Sequence, residues 1–529
     1  MTHNRDNRGR SRLSCTPSEQ IGESRMNDYE KLLERTKRIF LLQSSANALN
    51  WDFETYMPPK GVSLRSEQLG YLAEMVHKME TDPALARLLK KIESDPSGLD
   101  DAQKRDVALT RREYDKLTKV PSSLVAEIAK QQTVAVQVWK KAKAARDWKM
   151  FRPELGKLID LSRKRAEHIA DAVGFSSIHD AMIDDFDRGM TANEVSTVFG
   201  ELRDGLVPLA KEFADKSADI DVGFMNRPVP VEIQRKLASG ICQFIGYDTS
   251  SPQAGGRVDE TEHPFTTGYY DDVRITVHYH EDNVASAIYA VLHEGGHAIY
   301  EQGLNPGWIY QRLGQAASSG VHESMSRFIE NIVGRSTEFW RYYYPQFIQV
   351  TGGLFKDVPP EEVLKAVNLV RPSKIRIEAD EVTYSLHVII RFEIERDLFA
   401  DKITIDELPQ VWNEKYKKYL GVIIENDSEG VMQDTHWASG YFGCFQSYAL
   451  GNIYDGLWLR QLERDVPDWR THIEAGRFGP VKDWLSRNIY VRASMYDAPE
   501  LVKLVTGSRM TAKPFVDYIK TKYSMLFES

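Results

Sequence analysis

Apolar residues recur at three- and four-residue intervals along most of this chain. In YEKLLERTKRIFLLQSSANAL, Leu32, Leu33, Ile39, Phe40 and Leu41 follow helical rather than strand spacing, and the helix is expected to break at Met57, Pro58 and Pro59. Further helices are predicted near residues 64 to 80, 101 to 117, 122 to 145, 153 to 173 and 191 to 216, separated by Pro, Gly and Asp clusters. Helical spacing also runs through 314 to 335, 360 to 369, 379 to 400 and 406 to 420, and beyond a Gly-rich loop read at 438 to 451. One stretch departs from it. Between 248 and 281 Gly, Pro and Ser cluster, and DDVRITVHYH then alternates Val273, Ile275, Val277 and Tyr279 with polar neighbours, which is a strand signature. The pattern predicts a mainly α protein with one small β-sheet flanking the active cleft.

Composition narrows the partners. The 529 residues carry a formal net charge of −9 with 27% charged residues, an ordinary acidic balance that excludes nucleic acid and anionic membrane as expected partners. There is no charge-free apolar run long enough for a bilayer. Three cysteines, Cys15, Cys242 and Cys444, form no CxxC pair, so neither a disulfide framework nor a thiolate zinc site is indicated, and a cytoplasmic protein is expected. Residues 1 to 26 lack the apolar core of a secretory signal and are read as a disordered leader, with Met26 as an alternative start.

The chemistry concentrates in VASAIYAVLHEGGHAIYEQG. Histidines four apart on a helix are separated by about 40° and roughly 6 Å, so His293 and His297 reach one ion from one face, and neutral imidazole is a favoured zinc ligand. Glu294, one step round, is placed to take a proton from water activated by the metal and so to act as general base. Gly295 and Gly296 each cost a helix about 1 kcal/mol relative to alanine, which points to close approach of substrate or another backbone. A third ligand is required. Tyr300 and Gly303 stand where a metzincin has glycine and histidine, which excludes that class. Glu301, Glu323 and Glu330 are then the candidates. Glu323 is preferred because the small residues Ala316 to Gly320 before it let two helices come close, although His322 and Glu323 also read as a surface pair.

In combination, WDFETYMPP at Trp51, HPF at His263, DVRIT at Asp272, HEGGH at His293, HESMSR at His322, IRIEAD at Ile375 and GCFQSY at Gly443 resemble the thermostable (Taq-type) metallocarboxypeptidases, peptidase family M32. The resemblance runs from about Tyr29 to Phe527. It implies one helical zincin-like domain over residues 27 to 529 around a deep groove. It also implies a homodimer and removal of single residues from free peptide C-termini with Zn2+, Co2+ or another divalent ion. The glutamate of the HES motif is the family's third ligand, here Glu323. Two motifs depart from the usual form: Met325 stands where glutamine is common, and GCFQSY replaces GYFPTY, keeping Tyr448 as a phenol for the tetrahedral intermediate.

A carboxypeptidase must hold a carboxylate, and a guanidinium is its natural partner. Arg376 and Arg274 are the candidates. For Arg376 the structural alternative is a helix-surface bridge to Asp380, and for Arg274 it is a partner such as Asp272 or Glu281. His263, held extended by Pro264, is read as a substrate donor or a turn cap, and His436 as a transition-state group or as packing against Trp437. Cys444 invites a nucleophile reading that the metal makes unnecessary. The rival functions are an endo- or oligopeptidase sharing this centre and a non-catalytic peptide-binding protein.

Overall fold

The computed structural model describes residues 26 to 528, so the leader expected over residues 1 to 26 lies almost wholly outside the described residues. Helix α1 (Asp28–Thr55) opens with a capping box. Asn27 Oδ1 accepts from the Glu30 amide at 2.9 Å, and the Glu30 carboxylate accepts from the Asn27 amide at 2.8 Å. The chain breaks at Pro58 and Pro59 as expected, then forms α2 (Val62–Glu80), α3 (Pro83–Ser94) and α4 (Asp101–Lys119). Leu32 of α1, Leu85, Leu89 and Ile92 of α3 and Val107 of α4 close a small core of their own. No residue of α2 is buried, and Val62, Leu64 and Tyr71 are exposed.

The main core begins with α5 (Ser122–Ala145), α6 (Trp148–Val173), α7 (Ile178–Ile183), α8 (Ala192–Lys216) and α9 (Val231–Ile245). The expected sheet follows as β1 (Gly256–Glu260), β2 (Thr266–Tyr269) and β3 (Asp272–Val277), in spatial order β1-β3-β2. Strand β1 runs parallel to β3, with Val258 opposite Ile275, and β2 runs antiparallel to it, with Thr266 opposite Ile275. The alternating Val273, Ile275 and Val277 are fully buried, and β3 packs against the helix that carries HEGGH. Gly268, at φ +118°, is needed where β2 closes on β3: a Cβ there would lie 2.7 Å from Val273 Cα.

That helix is α10 (Val284–Gln302), followed by α11 (Ser319–Arg327), α12 (Thr337–Val350), α13 (Pro360–Val367), α14 (Tyr384–Phe399) and α15 (Leu408–Leu420). The C-terminal part holds α16 (Phe445–Asp465), α17 (Trp469–Glu474), α18 (Gly479–Asn488), α19 (Ala498–Thr506) and α20 (Lys513–Glu528). Three boundaries correct the periodicity reading. The helix expected over 314 to 335 starts at Ser319 and widens into a π-helical turn at Phe328–Val333. The one expected from 379 starts at Tyr384, because Asp380 caps a preceding turn through the Val382 and Thr383 amides. The loop read over 438 to 451 ends at Cys444, so Tyr448 belongs to the first turn of α16. Helices α3, α7, α9 and α12 are not singled out by their spacing.

Candidate metal centre

Two glycines bring the helices of this centre together. A Cβ on Gly296 would lie 2.6 Å from the Met325 carbonyl oxygen, so glycine there lets α10 lie directly on the backbone of α11. Gly295 instead faces the tip of the Ile245 side chain of α9, which a Cβ would displace. The close approach inferred for these glycines is therefore to other elements of the chain.

Across the α10–α11 contact, Glu323 Oε2 lies 3.7 Å from His293 Nε2 and 3.6 Å from His297 Nε2. One candidate ligand atom from each of the three residues falls within 4.8 Å of the others; Glu323 is buried and the two histidines are half-buried. Bonds of about 2.0–2.2 Å from zinc to imidazole and carboxylate leave such donors some 3–4 Å apart, so the triad fits a divalent ion.

The outward nitrogens of both imidazoles are also held. His293 Nδ1 meets Glu330 Oε2 at 2.9 Å, and Arg335 braces Glu330 at 3.3 Å. His297 Nδ1 meets His322 Nδ1 at 2.5 Å, and His322 Nε2 meets Glu301 Oε1 at 2.9 Å. Glu301 and Glu330, weighed above as ligands, thus stand behind the candidate ligands, placed to fix their tautomers. With a His297 lone pair facing the centre, its Nδ1–H donates to His322, whose Nε2–H donates to Glu301.

Without an ion the two imidazoles differ sharply. Burial opposes charge on His293, but Glu323 and Glu330 outweigh it and raise its pKa to about 9. Burial and the facing His322 push His297 down to about 3. Burial would raise Glu323 too, yet His293 and His297 hold it at about 2.

Glu294 is buried, and that burial raises its pKa. Its Oε2 accepts from the Thr266 hydroxyl at 2.6 Å, so the edge strand β2 fixes one carboxylate oxygen and leaves the other unengaged.

A cavity of about 840 Å3 opens onto the centre, with His297, His322, Glu323, His436 and Tyr448 in its wall. Tyr448 OH lies 3.2 Å from His436 Nε2. Burial, and then Arg376, push His436 down to about 4, so its ring is neutral near pH 7, and burial keeps the Tyr448 phenol protonated. The thiol of Cys444 also borders the cavity, but burial raises it far above its ordinary range, which removes it as a nucleophile.

The remaining residues singled out in the sequence do not line this cavity. Arg376 sits in a one-turn 3-10 helix, and its partner is Asp434, 3.0 Å from Nη2, rather than Asp380. It also donates to Tyr384 OH at 3.2 Å and lies 5.1 Å from the Tyr448 ring centre. Arg274 is gripped by Asp272 through two bonds of 2.7 and 2.8 Å, the structural alternative weighed for it. His263 is exposed in the bend before β2. Sequence reasoning missed Thr266, Asp434 and the supporting roles of Glu330 and His322. Thr266 follows HPF directly, His322 opens HESMSR and Glu330 stands among the weighed ligands, so each carried a signal without its role.

The protein-family model described as carboxypeptidase Taq (M32) metallopeptidase matches residues 31–523. Thermostable carboxypeptidase 1 of Thermus thermophilus is 38% identical over 510 residues, 94% of this chain and 99% of that one. Carboxypeptidase 1 of Bacillus subtilis is 34% identical over 502 residues, with 94% and 99% covered. The crystal structure of an M32 carboxypeptidase from Deinococcus radiodurans R1 superposes with a TM-score of 0.91 at 34% identity, covering 95% of this chain and all of that one.

Proposed function

This chain belongs to the carboxypeptidase Taq (M32) metallopeptidase family and is a peptidase acting on peptide bonds, and we propose that it removes C-terminal residues with Glu294 as general base. The observation that carries this reading is the His293, His297 and Glu323 triad, with Glu294 beside it, at a cavity that also holds Tyr448 and His436. A divalent ion there, taken as zinc with cobalt as the alternative, supplies a Lewis acid for water and the scissile carbonyl.

Glu294 takes the proton of the attacking water on its free oxygen and returns it to the leaving amine, while Thr266 holds the other oxygen. Tyr448 donates to the oxyanion. With its proton on Nε2, His436 donates to the phenol oxygen and leaves the phenol O–H for that task.

Arg376 spends three of its five N–H donors on Asp434 and Tyr384. One N–H on each terminal nitrogen is left over among the described residues, and these two are proposed for the substrate carboxylate, although Arg376 itself stands behind Tyr448 and outside the cavity wall. Arg274 and His263, which do not line the cavity, are assigned to the outer part of the peptide.

The exposed apolar residues of α2 offer area for a homodimer. No helix among the described residues is long and apolar enough to cross a membrane, and a cytoplasmic site of action is proposed.

Incubating the metal-loaded enzyme with a peptide and with its C-terminal amide tests the reading by mass spectrometry. A chelator-sensitive ladder from the free C-terminus alone is the expected result. Equal cleavage of the amide would establish an endo- or oligopeptidase, and metal binding without cleavage a peptide-binding protein.

A further inference from the structure

Asp187, in the loop between α7 and α8, is fully buried and belongs to none of the machinery described above. Its Oδ1 accepts from the Gly320 amide at 2.8 Å, and its Oδ2 accepts from Ser447 Oγ at 2.6 Å and Gln446 Nε2 at 3.1 Å. Three donors converge on its two acceptor oxygens, while burial raises its pKa. Gly320 lies in the first turn of α11, which carries Glu323, and Gln446 and Ser447 lie in the first turn of α16, which carries Tyr448. One carboxylate therefore takes a backbone amide from the start of α11 and two side-chain donors from the start of α16.

The fit is close. A Cβ on Gly320 would lie 2.7 Å from Asp187 Oδ1, and the neighbouring Phe186 carbonyl accepts from the Ser319 amide at 2.8 Å. Gln446 and Ser447 are among the positions at which this chain departs from GYFPTY, and a proline at 446 has no side-chain donor to offer. Farther along, Ser324 donates to Asp455 at 2.6 Å and Arg327 to Asn452 at 2.7 Å, so α11 and α16 are matched over their length. Among the described residues Tyr448 OH has one hydrogen-bond partner, His436, on the loop before α16.

We infer that Asp187 is a positioning residue for Tyr448: its carboxylate pins the first turn of α16 to that of α11 and so fixes the phenol relative to Glu323. The consequence for turnover rests on the role given to Tyr448 above, whereas the placement of the ring does not.

The test uses the full-length, metal-loaded enzyme with 3-fluorotyrosine at position 448. Asp187→Ala removes the anchor, Ser447→Ala removes one donor with little risk to folding, and Ser447→Thr keeps the hydroxyl. The 19F resonance is expected to move in both alanine variants and to stay in Ser447→Thr. In unlabelled protein, Ser447→Ala should lower kcat about tenfold, less than the roughly hundredfold cost of a 1 Å misplacement. KM and bound metal should be unchanged, and adding Ser447→Ala to Tyr448→Phe should cost nothing more. An unmoved 19F resonance in both alanine variants would overturn the inference, as would a Ser447→Ala loss that persists in full in the Tyr448→Phe background. If Tyr448→Phe alone keeps full kcat, the catalytic role of the phenol falls, and the 19F shift still decides whether Asp187 holds the ring.

Discussion

Helices α2 and α14 represent two regions built on opposite terms. In α2 no residue is buried, and its neighbours α1, α3 and α4 close only a small satellite core. In α14 every residue from Tyr384 to Glu395 is buried, including His387, Arg391, Glu393 and Glu395. A buried charged group is tolerable only when something else pairs with it. Arg391 is met by Asp434 and Gln433, and Glu395 by Trp437 Nε1 at 2.6 Å and the Gly443 amide at 2.8 Å. The inner helices thus position chemistry through partners brought from distant sequence. The outer layer has a small apolar core, half-exposed ion pairs such as Arg111 with Glu93, and one buried carboxylate, Asp106, which accepts from Tyr29 OH and the Leu313 amide. Changes inside should register in catalysis and metal binding, and changes outside in local stability.

Glu294→Gln should sharpen the contrast most. Loss of a general base costs about 10²–10⁴-fold in rate, and kcat is expected to fall in that range while metal analysis finds a full complement. Turnover near the wild-type rate in the metal-replete variant would sink the assignment of the base. Glu330→Gln, which weakens the support of His293 Nδ1, should cost roughly 10–100-fold in metal affinity, read by competition with a chromophoric chelator.

The same support predicts a proton count. In the metal-free protein His293 titrates at about 9, and His297 at about 3 and Glu323 at about 2 have already lost theirs at pH 7. Metal uptake at pH 7 should release close to one proton, measured by calorimetry in buffers of different ionisation enthalpy, and none well above pH 9. The sign for stability follows. A folded pKa raised from 6.5 to about 9 stabilises the metal-free protein below pH 6.5, and that contribution is lost as pH rises through about 9. Thermal melts of the chelated enzyme should therefore fall across that interval.

The smallest effect on activity is expected from Leu89→Ala in the satellite core. Truncating a fully buried leucine costs about 2–5 kcal/mol, here confined to α1, α3 and α4 and visible as faster amide exchange there. Loss of bound metal in that variant would break the distinction between the two regions.

The same division governs what could be read from the sequence. The α10 face and the β3 alternation were legible because each is a periodic pattern within one segment, and HEGGH sits inside the first. The register of α10 on α11 was legible in part, through Gly296 and the small residues before Glu323. Partnerships across the sequence were not. For Arg376, read as a substrate anchor, helical spacing offers Asp380 as the structural alternative, whereas the fold supplies Asp434, 58 positions away. Tyr448 was placed in a loop because glycines surround it, whereas the anchoring of Gln446 and Ser447 on Asp187 belongs to a helix start.

The ligands are divided between α10 and α11, which touch at the backbone where Gly296 meets Met325. An ion bound by both helices is consequently a removable cross-link as well as a reagent. It ties its own affinity to the cohesion of the interior, adding RT ln(1 + [L]/Kd) to the work of pulling the two helices apart. A methyl group at position 296 would act as a wedge against that bond, and retained metal then becomes a gauge of how tightly the molecule is assembled.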